Sequence, residues 1–133
     1  MRKTLILAAT VLSALTAPVL AQVTEETLAA AHAVYDVADV SDEAHIALYC
    51  GAAFTLIANV TRTQGDAAAA DAFDASAQTL LAAAEALLID EGMSTEDRTT
   101  TAEAFTYVAN AGVIEAIEEA EYTQEECDAA AAE

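Results

Sequence analysis

Beyond residue 22 the chain carries apolar residues at helical spacing almost throughout. No stretch sustains the apolar–polar alternation of period two that a half-buried strand requires. Leu28, Ala31, Tyr35 and Ala38 recur three and four residues apart, which predicts a first helix over Glu25–Val40 with Thr24 as its cap. Ser41 followed by Asp42 and Glu43 sets a capping hydroxyl and two acids at a helix start, where the macrodipole favours negative charge. That second helix is predicted to reach about Thr63, with Ile46, Tyr49, Cys50, Ala53, Leu56, Ile57 and Val60 as its apolar stripe. Arg62 suits its last turn, and Gly65 stops it.

Asp66 caps a predicted third helix running to about Glu91, with Phe73, Ala77, Leu80, Leu81, Ala84, Leu87 and Leu88 on one face. Gly92 stands where a helix commonly ends in the left-handed conformation. Ser94 with Asp97 resembles a capping box, Asp replacing the usual Glu or Gln. It opens a fourth helix carrying Ala102, Phe105, Ala109, Gly112, Val113, Ala116 and Ile117. Thr123 with Glu126 is a full capping box before a short last helix holding Cys127, and Ala129–Ala132 are expected to fray.

Connections of a few residues make consecutive helices antiparallel neighbours. The predicted fold class is therefore all-α: an antiparallel helical bundle of three long helices, a shorter N-terminal helix and a short C-terminal one. Each long helix spans about 30–37 Å. Alanine fills 36 of 133 positions. Stripes such as Ala67–Ala70 and Ala82–Ala84 allow close helix approach but bury less apolar area than leucine would, so the core is thin for its length.

The first 21 residues read as an address. Met1-Arg2-Lys3 is a basic start, Thr4–Leu15 is uncharged and mostly apolar, and Pro18 precedes Val19-Leu20-Ala21, a small-residue cleavage pattern. This order predicts a cleaved secretory signal peptide at residues 1–21, with residues 22–133 as one helical domain in the periplasm or outside the cell. An uncleaved anchor is the alternative reading, and the shortness of the apolar core weighs against it. No convincing internal repeat is present.

Removing 21 of 133 residues leaves 112 and changes the charge. Arg2 and Lys3 leave with the signal, so Arg62 and Arg98 alone face 23 acids, and the net charge moves from −19 to −21. A chain this acidic is a poor ligand for polyphosphate backbones and anionic lipid, which excludes nucleic acid and membrane surfaces as partners. It is too apolar for a disordered acidic tail. The excess of acid collects beyond Gly112, so a surface for a cationic protein or for divalent cations would lie between Glu115 and Asp128. Such charge also suits a saline setting, where screening relieves self-repulsion.

Cys50 and Cys127 are an even pair in a chain read as exported, which predicts one structural disulfide. A redox couple would want close spacing and a lowered thiol pKa, and the acidic surroundings disfavour thiolate.

Candidate chemistry is sparse. Asp42 and His45 sit three residues apart and could reach one metal, and His32 is the other imidazole. Glu115, Glu118 and Glu119 are further weak cation candidates, as part of an acidic run whose mutual repulsion a cation would relieve. Satisfied histidines and a solvated acidic face are the favoured readings. Asp90–Thr95 begins like a calcium loop but has Thr95 where Gly is required and Thr101 where Glu is required. No haem-attachment motif, phosphate loop or nucleophile-base-acid set is legible, so no cofactor and no catalytic residue is assigned.

These readings converge on an exported acidic bundle without enzymatic activity that binds a partner protein or small ligand. Two alternatives stand beside it, a low-specificity divalent-cation binder and a stress-responsive holdase. The plan of two cysteines in a small helical exported chain is similar, in size and cysteine count, to the acid-stress chaperones of the bacterial periplasm. That resemblance implies acid-driven exposure of apolar surface.

Overall fold

A computed structural model of the protein describes residues 23–133. The segment read as a signal peptide lies outside the described residues. Five α-helices follow one another: α1 Glu25–Tyr35, α2 Asp42–Thr63, α3 Ala67–Asp90, α4 Thr95–Ala109 and α5 Gln124–Ala132. A π-helical turn, Asn110–Ile114, continues α4. No strand occurs among the described residues.

The caps stand where the sequence sets them. Ser41 Oγ accepts from the Ala44 amide at 3.2 Å, and Asp66 Oδ1 accepts from the Ala69 amide at 3.0 Å. Ser94 Oγ accepts from the Asp97 amide at 3.1 Å. Its hydroxyl also donates to the Asp97 carboxylate at 2.7 Å, so that acid grips the cap side chain. Thr123 and Glu126 form the reciprocal box, with the Thr123 amide donating to Glu126 Oε2 at 2.7 Å. Gly65 and Gly92 end α2 and α3 at φ of 93° and 83°, backbone that favours glycine.

α2 is the centre of the fold. Every residue from Ala47 to Phe54 is buried, so α2 has no solvent face along that stretch. A helix apolar all round must be enclosed, and α3, α4, the π turn and α5 all pack against α2. α3 forms a hairpin with it across a three-residue turn. Gly51 permits that approach, since a Cβ there would stand 2.7 Å from Leu81. α1 packs on α4, and α5 lies across α2 and α3. By length and composition α2 and α3 could each cross a bilayer, but 61% of the apolar window of α2 is already buried within the protein.

Four expectations are corrected. α1 stops at Tyr35 rather than Val40. Val37 is 76% exposed, and Val37, Asp39 and Val40 are poor helix formers. α4 with its π turn ends at Ile114, so Ala116 and Ile117 fall outside the helix on which their spacing placed them. Consecutive helices are not all neighbours, because α4 packs on α1 and α2 instead of running back along α3. α3 has one narrow buried stripe, Ala70, Ala77, Leu80, Ala84 and Leu88, and α2 occupies it. Finally, Ala129–Ala132 stay helical, with Ala130 and Ala131 packed against the core beside the tethered Cys127.

Candidate functional site

Residues 115–123 form an acidic strap between the π turn and α5, and the polar chemistry of the fold gathers beneath it. The strap begins with an unusual backbone. Ala116 has φ 50°, the left-handed region that β-carbon-bearing residues disfavour. The Ile117 amide turns back to the Ala111 carbonyl at 2.8 Å, which closes the widened turn. Gly112 lies under the strap, where a Cβ would meet Tyr49 Oη at 2.9 Å and the Ala120 Cα at 3.1 Å.

α1 and α2 hold the strap by side chains. His32 Nε2 lies 2.9 Å from Glu118 Oε2, while its Nδ1 is 3.5 Å from Asp36 Oδ1. The Tyr35 hydroxyl donates to Glu121 Oε2. Tyr49 Oη accepts from the Glu121 amide at 3.1 Å. His45 Nδ1 lies 3.0 Å from the Tyr122 hydroxyl and 3.8 Å from Glu121 Oε1. Edge-on rings stack through the centre: Tyr35 and His45 are 5.0 Å apart, and His45 and the fully buried Phe105 are 4.9 Å apart. Aromatic edges and faces of opposite polarity favour such geometry.

The environment drives the two histidines apart. The hydrogen bond to Glu118 outweighs partial desolvation and holds His32 above its ordinary value, with Asp36 adding to the effect. Burial pushes His45 down, against the pull of Asp42. Burial raises the Glu121 carboxyl, with His32 opposing. Burial likewise raises the Tyr49 and Tyr122 phenols. Relative to a free imidazole, His32 is therefore biased toward the charged form and His45 toward the neutral one.

The candidate cation ligands are distributed rather than gathered. His32 and Glu118 meet. Asp42 is exposed one turn from His45 and acts on it through charge. Glu115 accepts from Asn110 Nδ2 at 3.5 Å, and Glu119 faces solvent. Asp36 and Glu118 take opposite nitrogens of the His32 ring, so they do not converge on one point. Among the described residues, no three of His, Cys, Asp and Glu are placed to hold a metal ion. Tyr35, Tyr49 and Tyr122 were not legible as site residues, and Glu121 was legible only as one acid of the run between Glu115 and Asp128. The only other sequence signal is the Glu-Tyr pair at 121–122 in a chain with four tyrosines.

Cys50 and Cys127 form the disulfide, with Cα atoms 5.3 Å apart across a separation of 77 residues. Both cysteines are buried, and the bond ties the far end of the strap to the centre of α2. Compared with protein-family models, curated proteins and solved structures, the chain matches none.

Proposed function

We propose that this chain is an exported, non-enzymatic binding protein that offers its acidic strap and the start of α5 to a cationic protein partner. One observation carries the reading: both guanidinium groups of the described chain are engaged by its own acids away from that surface. Arg62 pairs with Asp71 and Asp74, and Arg98 pairs with Glu85. Glu119, Glu121, Glu125, Glu126 and Asp128 are left exposed on one continuous stretch. Clustered charge of one sign raises the local concentration of an oppositely charged partner and speeds encounter.

The test uses a basic protein such as lysozyme as probe, titrated at several salt concentrations. One variant neutralises Glu119, Glu125 and Asp128 to their amides. A matched control neutralises Glu26, Glu96 and Glu103. The reading expects salt-sensitive binding that the first variant loses and the control keeps. Equal loss in both would mean that net charge alone acts, and the strap would have no special part.

The holdase alternative draws on a different observation. A cavity of about 290 Å³ lies under the strap, walled by Phe54, Ile57, Val113, Tyr122 and Cys127. Ala120, Tyr122 and Thr123 of the strap help to line it, so release of the strap in acid would open it. Binding of an apolar dye that rises between neutral pH and pH ~3 supports this alternative, and unchanged binding excludes it.

A further inference from the structure

We infer that a groove between α2, α3 and α5 is a binding site for a small organic ammonium compound, an amine carrying an apolar body. The groove lies apart from the strap and its histidines. Its volume is about 410 Å³, within the range of about 300–1,000 Å³ usual for small-molecule sites. Ile46, Leu80, Leu87 and Ala130 supply apolar walls, and the charged side chains that line it are Glu43 and Glu133.

Three observations fix the ligand class. The lining holds carboxylates and no basic side chain. The ion pairs of Arg62 and Arg98 are made with Asp71, Asp74 and Glu85, so neither arginine neutralises the groove from within. The remaining lining is apolar apart from Thr79, so a fully hydrated inorganic cation would leave most of the wall without a partner. An ammonium head beside the carboxylates with a hydrocarbon body along Ile46, Leu80 and Leu87 satisfies both parts. Anionic ligands face the lining carboxylates and the field of the whole chain.

The groove is also a consequence of the fold. Its third wall is the last turn of α5, a helix that the Cys127–Cys50 bond ties to α2. Without that tether Ala130 would not face Leu80 and Leu87 across a cleft.

The experiment is calorimetry on residues 22–133 with the disulfide formed, using three matched probes: 4-phenylbutylamine, 4-phenylbutanol and 4-phenylbutyrate. The amine is expected to bind at one site, at least about tenfold more tightly than the alcohol, and the carboxylate not measurably. Ala83 lines the groove and is exposed on α3, so Ala83→Phe fills the cleft without touching the core, and its folding is checked by circular dichroism. It should abolish amine binding. Glu43→Gln with Glu133→Gln should bring the amine down to the affinity of the alcohol. Equal binding of amine and alcohol, or amine binding unchanged by Ala83→Phe, overturns the site. Failure here with lysozyme binding retained at the strap leaves the proposed function standing, since the two surfaces are separate.

Discussion

His32 Nε2 and Glu118 Oε2 stand 2.9 Å apart although 86 residues separate them in the chain. The pair joins α1 to the strap, and each side chain is about 30% exposed. Glu121, three residues on, sits in a different balance, because burial raises its carboxyl. The two acids should therefore respond oppositely to the same change. Glu118→Gln is expected to lower stability by about 1 kcal/mol at pH 6, where it loses a charge-assisted bond. Glu121→Gln keeps an acceptor for Tyr35 and removes a disfavoured charge, so the melting temperature at pH 7 should hold or rise. Parallel thermal melts decide it, and equal losses would contradict the assignment.

The histidines should titrate on either side of 6.5. His32 is raised, so its contribution to stability is complete below the unfolded value and fades as pH rises through the higher folded one. His45 is lowered, so its contribution is present above the unfolded value and is lost as pH falls through the lower folded one. Histidine NMR titration reads both midpoints directly. Two coincident midpoints, or the reverse order, would refute the geometry assigned to the cluster.

Two substitutions at the strap base should move stability in opposite directions. Gly112→Ala drives a methyl group against Tyr49 Oη and the Ala120 backbone, an overpacking cost of about 1–3 kcal/mol. Ala116→Gly relieves a left-handed residue at φ 50°, which should stabilise by about 1 kcal/mol. Chemical denaturation of the two variants beside the parent measures both. A stabilised Gly112→Ala protein would mean that the strap does not close over the π turn.

The disulfide closes a span of 77 residues. The loop-entropy relation assigns such a span about 4–5 kcal/mol. Reduction, or Cys50→Ser with Cys127→Ser, should lower the melting temperature sharply and free α5, which has few other buried anchors. Hydrogen exchange resolved along the chain should show protection lost first in residues 124–132. Loss spread evenly over all helices would argue that the bond stabilises the bundle only globally.

Salt should stabilise the fold. A net charge of −21 on residues 22–133 is partly screened at a Debye length of about 8 Å in physiological salt and further in brine. The melting midpoint is expected to climb with NaCl. A flat midpoint from low to high salt would remove charge repulsion as a stability determinant and with it the saline-habitat reading.

Local chemistry was enough to locate each helix start. Ser41, Asp66, Ser94 and Thr123 act within three residues of themselves, and such short-range bonds do not depend on the rest of the fold. Even spacing of apolar residues likewise specified helix over strand, and an even cysteine count in a chain read as exported specified one bond. The helix ends were less legible where no glycine marked them. α1 ends at Tyr35, where poor helix formers follow, and α4 ends in a π turn over which the strap folds back.

Tertiary structure alone decided which surfaces meet. Periodicity says that α2 is apolar, but its burial on every side follows from having four partners. The alternate route of α4, onto α1 and α2, follows from α3 having one stripe to offer. The strap has no periodicity to betray it, and its contacts reach back 72 to 86 residues to Tyr49, His45, Tyr35 and His32. A residue's type sets what bonds it can make, and its neighbours in sequence set its helix. Which distant carboxylate meets which imidazole is settled only when the chain closes, because that choice is made by packing and by the cost of leaving a buried polar group alone.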